Sequence, residues 1–497
     1  MSFAISTGSN FPMKSWFFYA TLLLFFFTQL PFLESDADKT IACGSRGAWT
    51  DEGLYTAPVR NFIHLGADEF RNRQSFIKTP YGIVTPLYSL YLLPFFAALG
   101  ISLVKARLVT SLTVVFLLLI AFRRKESQIL GSIFIWLLMW LHPVHQYSVL
   151  CLAEIYVCLL IVCGLMFRYR LYADSPIKAI LFFYFFLLAA VLYKIQYIYL
   201  LPLPFICEGI FWLRDFSRAS LRKFAFSGVL LLGSGVLMFL LWYLPFKEIW
   251  RLTGSSSSAG FSLEEITTEL LLRNLDTYFL DPAYGWFSIS FLISLIVFLS
   301  LMLKNLVNHS HRILLLVLLL WMVLESHKLC LSYLPIRYMI STYTAMGLFV
   351  SLVWVEVLRG KIRAAIFALT LPTIMLLFTN VKSLYETWTS RTFHQRELIA
   401  YMSKISSPTD VVIGTWAPSV TWLNKGACYP SWAVYTQGKD ILKTFHPTFI
   451  VSEPDEADTD KAFFKSKIYL RTEQDSLIQT ELGLWKVNVY RIRPHAN

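Results

Sequence analysis

Apolar runs of about 20 residues, repeated along most of the chain, fix the solvent in which this protein folds. They fall near 16–33, 107–122, 128–143, 150–167, 177–193, 196–213, 224–245, 286–303, 313–332, 336–357 and 362–379. A helix rises about 1.5 Å per residue, so each run approaches the length needed to cross the roughly 30 Å hydrocarbon layer of a bilayer. Soluble domains hold about 25% charged residues. Here 15% are charged, 56% are hydrophobic and the mean hydropathy is +0.55. The pattern predicts an all-α polytopic membrane protein of about eleven transmembrane helices, embedded among membrane lipids. The run at 16–33 has no small-residue cleavage site directly behind it, so it reads as an uncleaved first helix rather than a signal peptide.

The net charge of +12 is spread through short loops. No basic stretch carries interleaved aromatics, so no nucleic-acid partner is expected. Arg123, Arg124 and Lys125, then Arg168, Arg170 and Lys178, then Arg214, Arg218, Arg222 and Lys223, then Lys304 and Arg312, then Arg359, Lys361 and Arg363 share one side with Lys14. The positive-inside rule makes that side cytoplasmic. It does so only if the further apolar run Ile83 to Leu103, broken by Pro86 and Pro94, does not cross. That run is therefore expected as juxtamembrane or re-entrant helices within a first outer loop spanning 34–106, since protein can cover its broken backbone. The amino terminus is expected inside and the carboxy terminus outside. A second outer loop, 246–285, contains the flexible stretch Ser255 to Ser258.

The transmembrane domain is expected over 1–380 and a small soluble α/β domain over 381–497, a length that can fold alone. The tail's pattern predicts a helix near 392–405, a turn over Ser407, Pro408, Thr409 and Asp410, and strands near 411–414, 448–452, 466–470 and 484–492. Of seven cysteines, Cys151, Cys158, Cys163, Cys207 and Cys330 lie in or beside apolar runs and read as small hydrophobes. Cys43 and Cys428 lie in polar segments and would pair only if both face an oxidising compartment. No internal repeat stands out.

The residues able to carry chemistry gather at predicted outer helix ends. In Thr50 to Phe62, Thr50 is a plausible N-cap, with Asp51 and Glu52 opening a short helix. Two acids near a helix start also simply complement its dipole. Lys78, Glu154, Lys194, Lys328 and Arg337 recur where helices meet the outer surface. Charges there are expensive to bury and tend to face a cavity or each other; the alternative for each alone is a snorkelling side chain or a local ion pair, which weighs equally for Lys194 and Lys328.

Taken in chain order, Asp51-Glu52 with Tyr55 and Arg60, then Lys78-Thr79-Pro80, Arg107-Leu108, Glu154-Ile155, Lys194 and Arg337-Tyr338, this set resembles the GT-C membrane glycosyltransferases. The likeness is to the superfamily of protein O-mannosyltransferases and bacterial lipid A aminoarabinose transferases, and it runs from about residue 15 to 380. The chain departs from the family pattern at Thr79, which separates Lys78 from Pro80, and at Glu154-Ile155, where relatives often carry Asp-Pro. The resemblance implies an inverting glycosyltransferase. Its donor would be a polyprenyl-phosphate-linked sugar and its acceptor a lipid, glycan or protein on the extracytoplasmic face.

Such chemistry needs cations on a phosphate leaving group and a base for the acceptor. Asp51 is expected as the base or acceptor-orienting carboxylate, with Glu52 beside it, and Lys78 and Arg337, with Lys194 behind them, on the donor phosphate. Tyr55, Arg60, Glu154 and Tyr338 support them. Glu52 and Glu154 are open as orienting groups or as ligands of a divalent cation, Mg²⁺ or Mn²⁺. A bacterial inner membrane is preferred; the sequon at Asn308 lies in a predicted cytoplasmic loop and does not decide it. A transporter or flippase of lipid-linked sugars is the rival class, although such sites lie near the bilayer midplane rather than at helix ends.

Overall fold

The computed structural model describes residues 15–42, 46–74, 86–244, 267–430, 445–453 and 477–492. Its first helices are α1 (Ser15–Gln29), α2 (Gly47–Gln74), α3 (Pro86–Leu99), α4 (Leu103–Phe122), α5 (Lys125–Phe134), α6 (His142–Val149), α7 (Glu154–Leu171) and α8 (Pro176–Tyr193). There follow α9 (Leu203–Asp215), α10 (Arg218–Met238), α11 (Thr268–Leu275), α12 (Pro282–Leu303), α13 (His309–Glu325), α14 (Ile336–Arg359), α15 (Arg363–Thr389), α16 (His394–Ile405) and α17 (Ala417–Val420).

Among the described residues, nine helical stretches are long and apolar enough to cross a membrane, and they take up nine of the eleven expected runs. The other two differ for physical reasons. The run at 128–143 continues from α5 through a π-helical turn, Ile135–Met139, and then bends by 97° into α6. The bend falls at Leu141, just before Pro143, whose ring cannot continue the preceding helix. The run at 150–167 is α7, 18 residues that carry Glu154, Arg168 and Arg170. These charges are held by protein: Arg168 lies 2.7 Å from Glu208 in a buried ion pair. Gly164 lets α7 and α8 pack closely, since a Cβ there would stand 2.9 Å from the Phe183 ring.

The helix α14 runs through the middle of the bundle, 89% buried, whereas α10 is only 17% buried and shows Val229, Leu232 and Val236 outward. In lipid such apolar faces need no protein cover. At 14 residues, α3 extends about 21 Å, short of a roughly 30 Å hydrocarbon core. The apolar run 83–103 is thus not one straight span.

The helix carrying Asp51 and Glu52 is longer than expected and starts earlier. It begins at Gly47, and the Arg46 carbonyl accepts from both the Thr50 amide, at 3.0 Å, and the Thr50 hydroxyl, at 3.2 Å. Thr50 is therefore inside the helix and not its N-cap, and the two acids sit in the second turn. The run to Gln74 is broken at Gly66, whose φ of 77° is a conformation that glycine tolerates.

The last membrane helix, α15, continues to Thr389, past the boundary expected at 380. Beyond it, β1 (Val411–Ile413), β2 (Ala427–Tyr429), β3 (Phe449–Ser452), β4 (Ile478–Leu482) and β5 (Trp485–Arg491) form one mixed sheet of order β2-β1-β3-β5-β4. The first three strands in that order are parallel, and β5 runs antiparallel to β3 and β4. The helix at 392–405 and the strands near 411–414, 448–452 and 484–492 match this part. The short β2 and β4 are additions, and the expected strand at 466–470 lies outside the described residues. So do Cys43 and Ser255 to Ser258, while Cys428 is a buried free thiol.

Asp36, between α1 and α2, closes the start of α16. Its carboxylate accepts from the amides of His394, at 3.0 Å, and Gln395, at 2.9 Å, and from the Thr392 hydroxyl, at 2.7 Å. This is the N-cap arrangement, supplied from across the chain instead of by the neighbouring residue.

Candidate active site

The helix α2 is held between the membrane bundle and the C-terminal sheet, and Glu52 is its anchor on the bundle side. The fully buried Glu52 carboxylate accepts from Arg107 through Nε at 2.9 Å and Nη2 at 2.6 Å, and from the Cys151 amide at 2.7 Å. Arg107 also donates to the Ser35 carbonyl. One ion pair therefore ties α2 to α4, to the turn between α6 and α7, and to the end of the first membrane segment.

Asp51 faces the other way. Its Oδ2 lies 3.1 Å from Arg337 Nη1 and accepts from the Tyr55 hydroxyl at 3.0 Å, while Thr50 donates to Oδ1 at 3.4 Å. Burial, and then the neighbouring Asp51 and Glu154 carboxylates, hold the Tyr55 phenol well above its ordinary pKa. It stays a neutral donor at physiological pH.

Arg337 stands in the first turn of α14, after Pro335. A cation at a helix N-terminus opposes the macrodipole and needs compensation. Asp51 supplies part of it and Glu154 the rest, its Oε1 lying 3.6 Å from Arg337 Nε. The same Glu154 oxygen pairs with Lys194. Lys194 follows the last turn of α8 in an extended conformation, which aims its ammonium between the rings of Tyr55 and Tyr338, at 5.8 and 5.5 Å. The result is an alternating row, Asp51, Arg337, Glu154, Lys194. All four are buried. Among the described residues, the second Glu154 oxygen, Oε2, is buried without a hydrogen-bond partner.

Tyr338 lines this row beneath Arg337, whose guanidinium sits 5.4 Å over its ring, and its hydroxyl accepts from Gln196 at 3.1 Å. Arg60 takes no part in it. Its Nη2 donates to the carbonyls of Gly53, at 3.0 Å, and Pro418, at 2.5 Å, and its guanidinium lies 4.4 Å over the Trp422 ring. Lys78 lies outside the described residues.

The structure adds groups that the sequence reading missed. Glu325, at the end of α13, accepts from Tyr199, Trp321, Ser341 and Thr342 and pairs with Lys328 at 2.5 Å. Lys328 in turn donates to the Tyr338 carbonyl at 2.7 Å. This network fixes the start of α14. An acid at the end of an apolar span followed three residues later by Lys was the available signal. Gly47 is the other: a Cβ there would overlap the Arg337 guanidinium.

The carboxylates do not suit a divalent cation. Glu52 is saturated by Arg107 and the Cys151 amide, and Asp51 and Glu154 are already set against Arg337 and Lys194. Among the described residues no group of three or more His, Cys, Asp or Glu side chains could hold a metal ion.

No protein-family model matches the chain, and no curated protein does. Solved structures do. ArnT from Cupriavidus metallidurans, bound to undecaprenyl phosphate, superposes with a TM-score of 0.56 at 13% identity, covering 95% of this chain and 97% of that one. The apo form of the same protein gives 0.59 at 13% identity, covering 95% and 96%. The Archaeoglobus fulgidus oligosaccharyltransferase in complex with Zn and sulfate gives 0.51 at 13% identity, covering 87% of this chain and 68% of that one. Over nearly its whole length, this chain is therefore a multi-pass membrane protein with the GT-C fold that its motifs resemble.

Proposed function

We propose that the chain is an inverting glycosyltransferase that moves a sugar from a polyprenyl-phosphate donor to a lipid, glycan or protein acceptor on the extracytoplasmic face of a bacterial inner membrane. The observation that carries this reading is the buried contact of Asp51 with Arg337, 3.1 Å, at the N-terminus of α14. A helix N-terminus and a guanidinium together favour a phosphate. The fold neighbour bound to undecaprenyl phosphate supports the same donor class.

In this mechanism the acceptor oxygen or nitrogen attacks the anomeric carbon from the face opposite the phosphate. The bond from that carbon to the phosphate oxygen breaks, and its electron pair leaves with the polyprenyl phosphate. The acceptor proton passes to Asp51. Arg337 and Lys194 face the charge that develops on the leaving phosphate, and Lys78 joins them on the strength of its motif. Glu52 keeps Asp51 in place by fixing α2 to the bundle, and Glu154 holds Lys194 and Arg337 toward each other. Tyr55 donates to Asp51 and fixes its orientation.

The test is Asp51→Asn in single-turnover transfer. It keeps the shape and removes the base, so transfer per folded molecule is expected to fall about a hundredfold or more, with Glu154 still compensating Arg337. An Asp51→Asn protein that transfers at the wild-type rate would refute the assignment.

A further inference from the structure

We propose that the C-terminal α/β domain is the positioning element of the helix that carries Asp51, with Glu453 as the positioning residue, acting through Arg46 on the seat of Arg337 at Gly47. The proposal rests on the reading of Asp51 and Arg337 given above.

In open α/β sheets, ligands bind at the carboxyl ends of the parallel strands. Here α17, just past the end of β1, packs against all three parallel strands, and α2 packs on α17 and on β2. Past the end of β3, Glu453 Oε1 accepts from Trp416 Nε1 at 2.5 Å and from Arg46 Nη1 at 3.0 Å. Trp416, just past the end of β1, is fully buried and Glu453 is 5% exposed. Arg46 immediately precedes Gly47, against which the Arg337 guanidinium lies. An ion pair at the sheet end thus sets the first turn of α2, and that turn sets where Arg337 can stand relative to Asp51.

The contacts continue along α2. Ser419 donates to the Thr50 carbonyl at 3.1 Å, one residue before Asp51. Gly53 meets the backbone of Pro418 and Ser419 so closely that any Cβ would overlap it. Asn61 donates to the Cys428 carbonyl at 2.9 Å and accepts from the Cys428 amide at 3.2 Å, the exchange a neighbouring strand would make. It thereby covers part of the open edge of β2, which lies at one side of the sheet. Trp49 packs edge-on against Trp485 at 5.2 Å, where a Cβ at Gly483 would come within 2.8 Å of its ring.

The experiment uses the full-length protein in detergent and, as donor, undecaprenyl-phosphate-linked sugars extracted from the source membranes, with donor loss followed by mass spectrometry. Glu453→Ala and Arg46→Ala are each expected to lower turnover per folded molecule at least tenfold. The charge exchange Arg46→Glu with Glu453→Arg is expected to return most of it. A purely structural role would reduce the amount of folded protein and leave turnover per folded molecule unchanged. Wild-type turnover in both single variants, or no recovery in the exchange, overturns the proposal.

Docking is measured separately. Cys428 Sγ lies 3.7 Å from Asn61 Oδ1, so Asn61→Cys is expected to form an intramolecular disulfide with Cys428 on mild oxidation; failure to do so also overturns the proposal. Should the wild-type protein consume none of this donor, the reading of function fails instead, and the disulfide still decides whether the sheet sits on α2.

Discussion

Replacing Gly47 by alanine separates the stability of this protein from its chemistry. An added Cβ would meet the Arg337 guanidinium, with Cζ at 2.5 Å and Nη2 at 3.0 Å, and Nη1 closer still. The backbone of α2 does not need to move, because the obstructing atoms are the far end of a side chain. Gly47 opens α2, where alanine is accepted as readily as glycine, so the helix is not expected to suffer. The guanidinium, however, must withdraw by roughly 2 Å, and a displacement of about 1 Å in a positioning group can cost on the order of a hundredfold in rate. A hundredfold is about 2.7 kcal/mol of transition-state stabilisation. Gly47→Ala is thus expected to unfold near the wild-type midpoint while single-turnover transfer falls about a hundredfold. The assay pairs thermal unfolding in detergent with quenched donor consumption on the same preparation. Wild-type transfer by Gly47→Ala would refute the claim that Arg337 must stand against α2, and with it the coupling of α2 to the donor site.

Three other outcomes are expected. Glu52→Gln leaves the Arg107 guanidinium buried without its counter-charge, which costs about 3 to 5 kcal/mol; a variant as heat-stable as wild type would show that this pair is not the anchor of α2. Transfer is expected to persist in EDTA, because Asp51 and Glu154 are set against cations and Glu52 is held by Arg107 and the Cys151 amide; loss on chelation with recovery on adding Mg²⁺ or Mn²⁺ would overturn that. A cysteine at the exposed Lys425 is expected to react with an impermeant reagent from outside intact cells and one at the exposed Glu126 is not. Labelling of the second site from outside would reverse the orientation.

Much of the site was legible because charge is costly beside lipid. Glu154, Lys194 and Arg337 interrupt apolar sequence at helix ends, so their meeting with Asp51 follows from the expense of leaving any of them alone. The partner of Glu52 was not legible in the same way. Arg107 lies 55 residues away in sequence, and nothing local distinguishes an acid that anchors from one that reacts. Thr50 misled for a different reason. It has the residue type of a cap, but a turn at Arg46 starts the helix one turn sooner. The apolar count also could not see the 97° bend at Leu141, since a bent pair and a straight span have the same composition. Least visible was Arg60, which follows Asp51 and Tyr55 on the same helix, yet points at the carbonyl of Pro418, 358 residues on.

The Asp36 cap on α16 has a bearing on biosynthesis. The carboxylate and the amide it binds at His394 are 358 residues apart. At about 5 to 20 residues per second of chain elongation, roughly 20 to 70 s pass between the emergence of the first and of the second. During that interval the Asp36 carboxylate lacks the amides it will cap, and the helix bearing Asp51 lacks the sheet that will hold it. The C-terminal sheet therefore completes an assembly begun beside the first helix. A nascent chain released before that point has a membrane bundle but not the sheet that packs on α2.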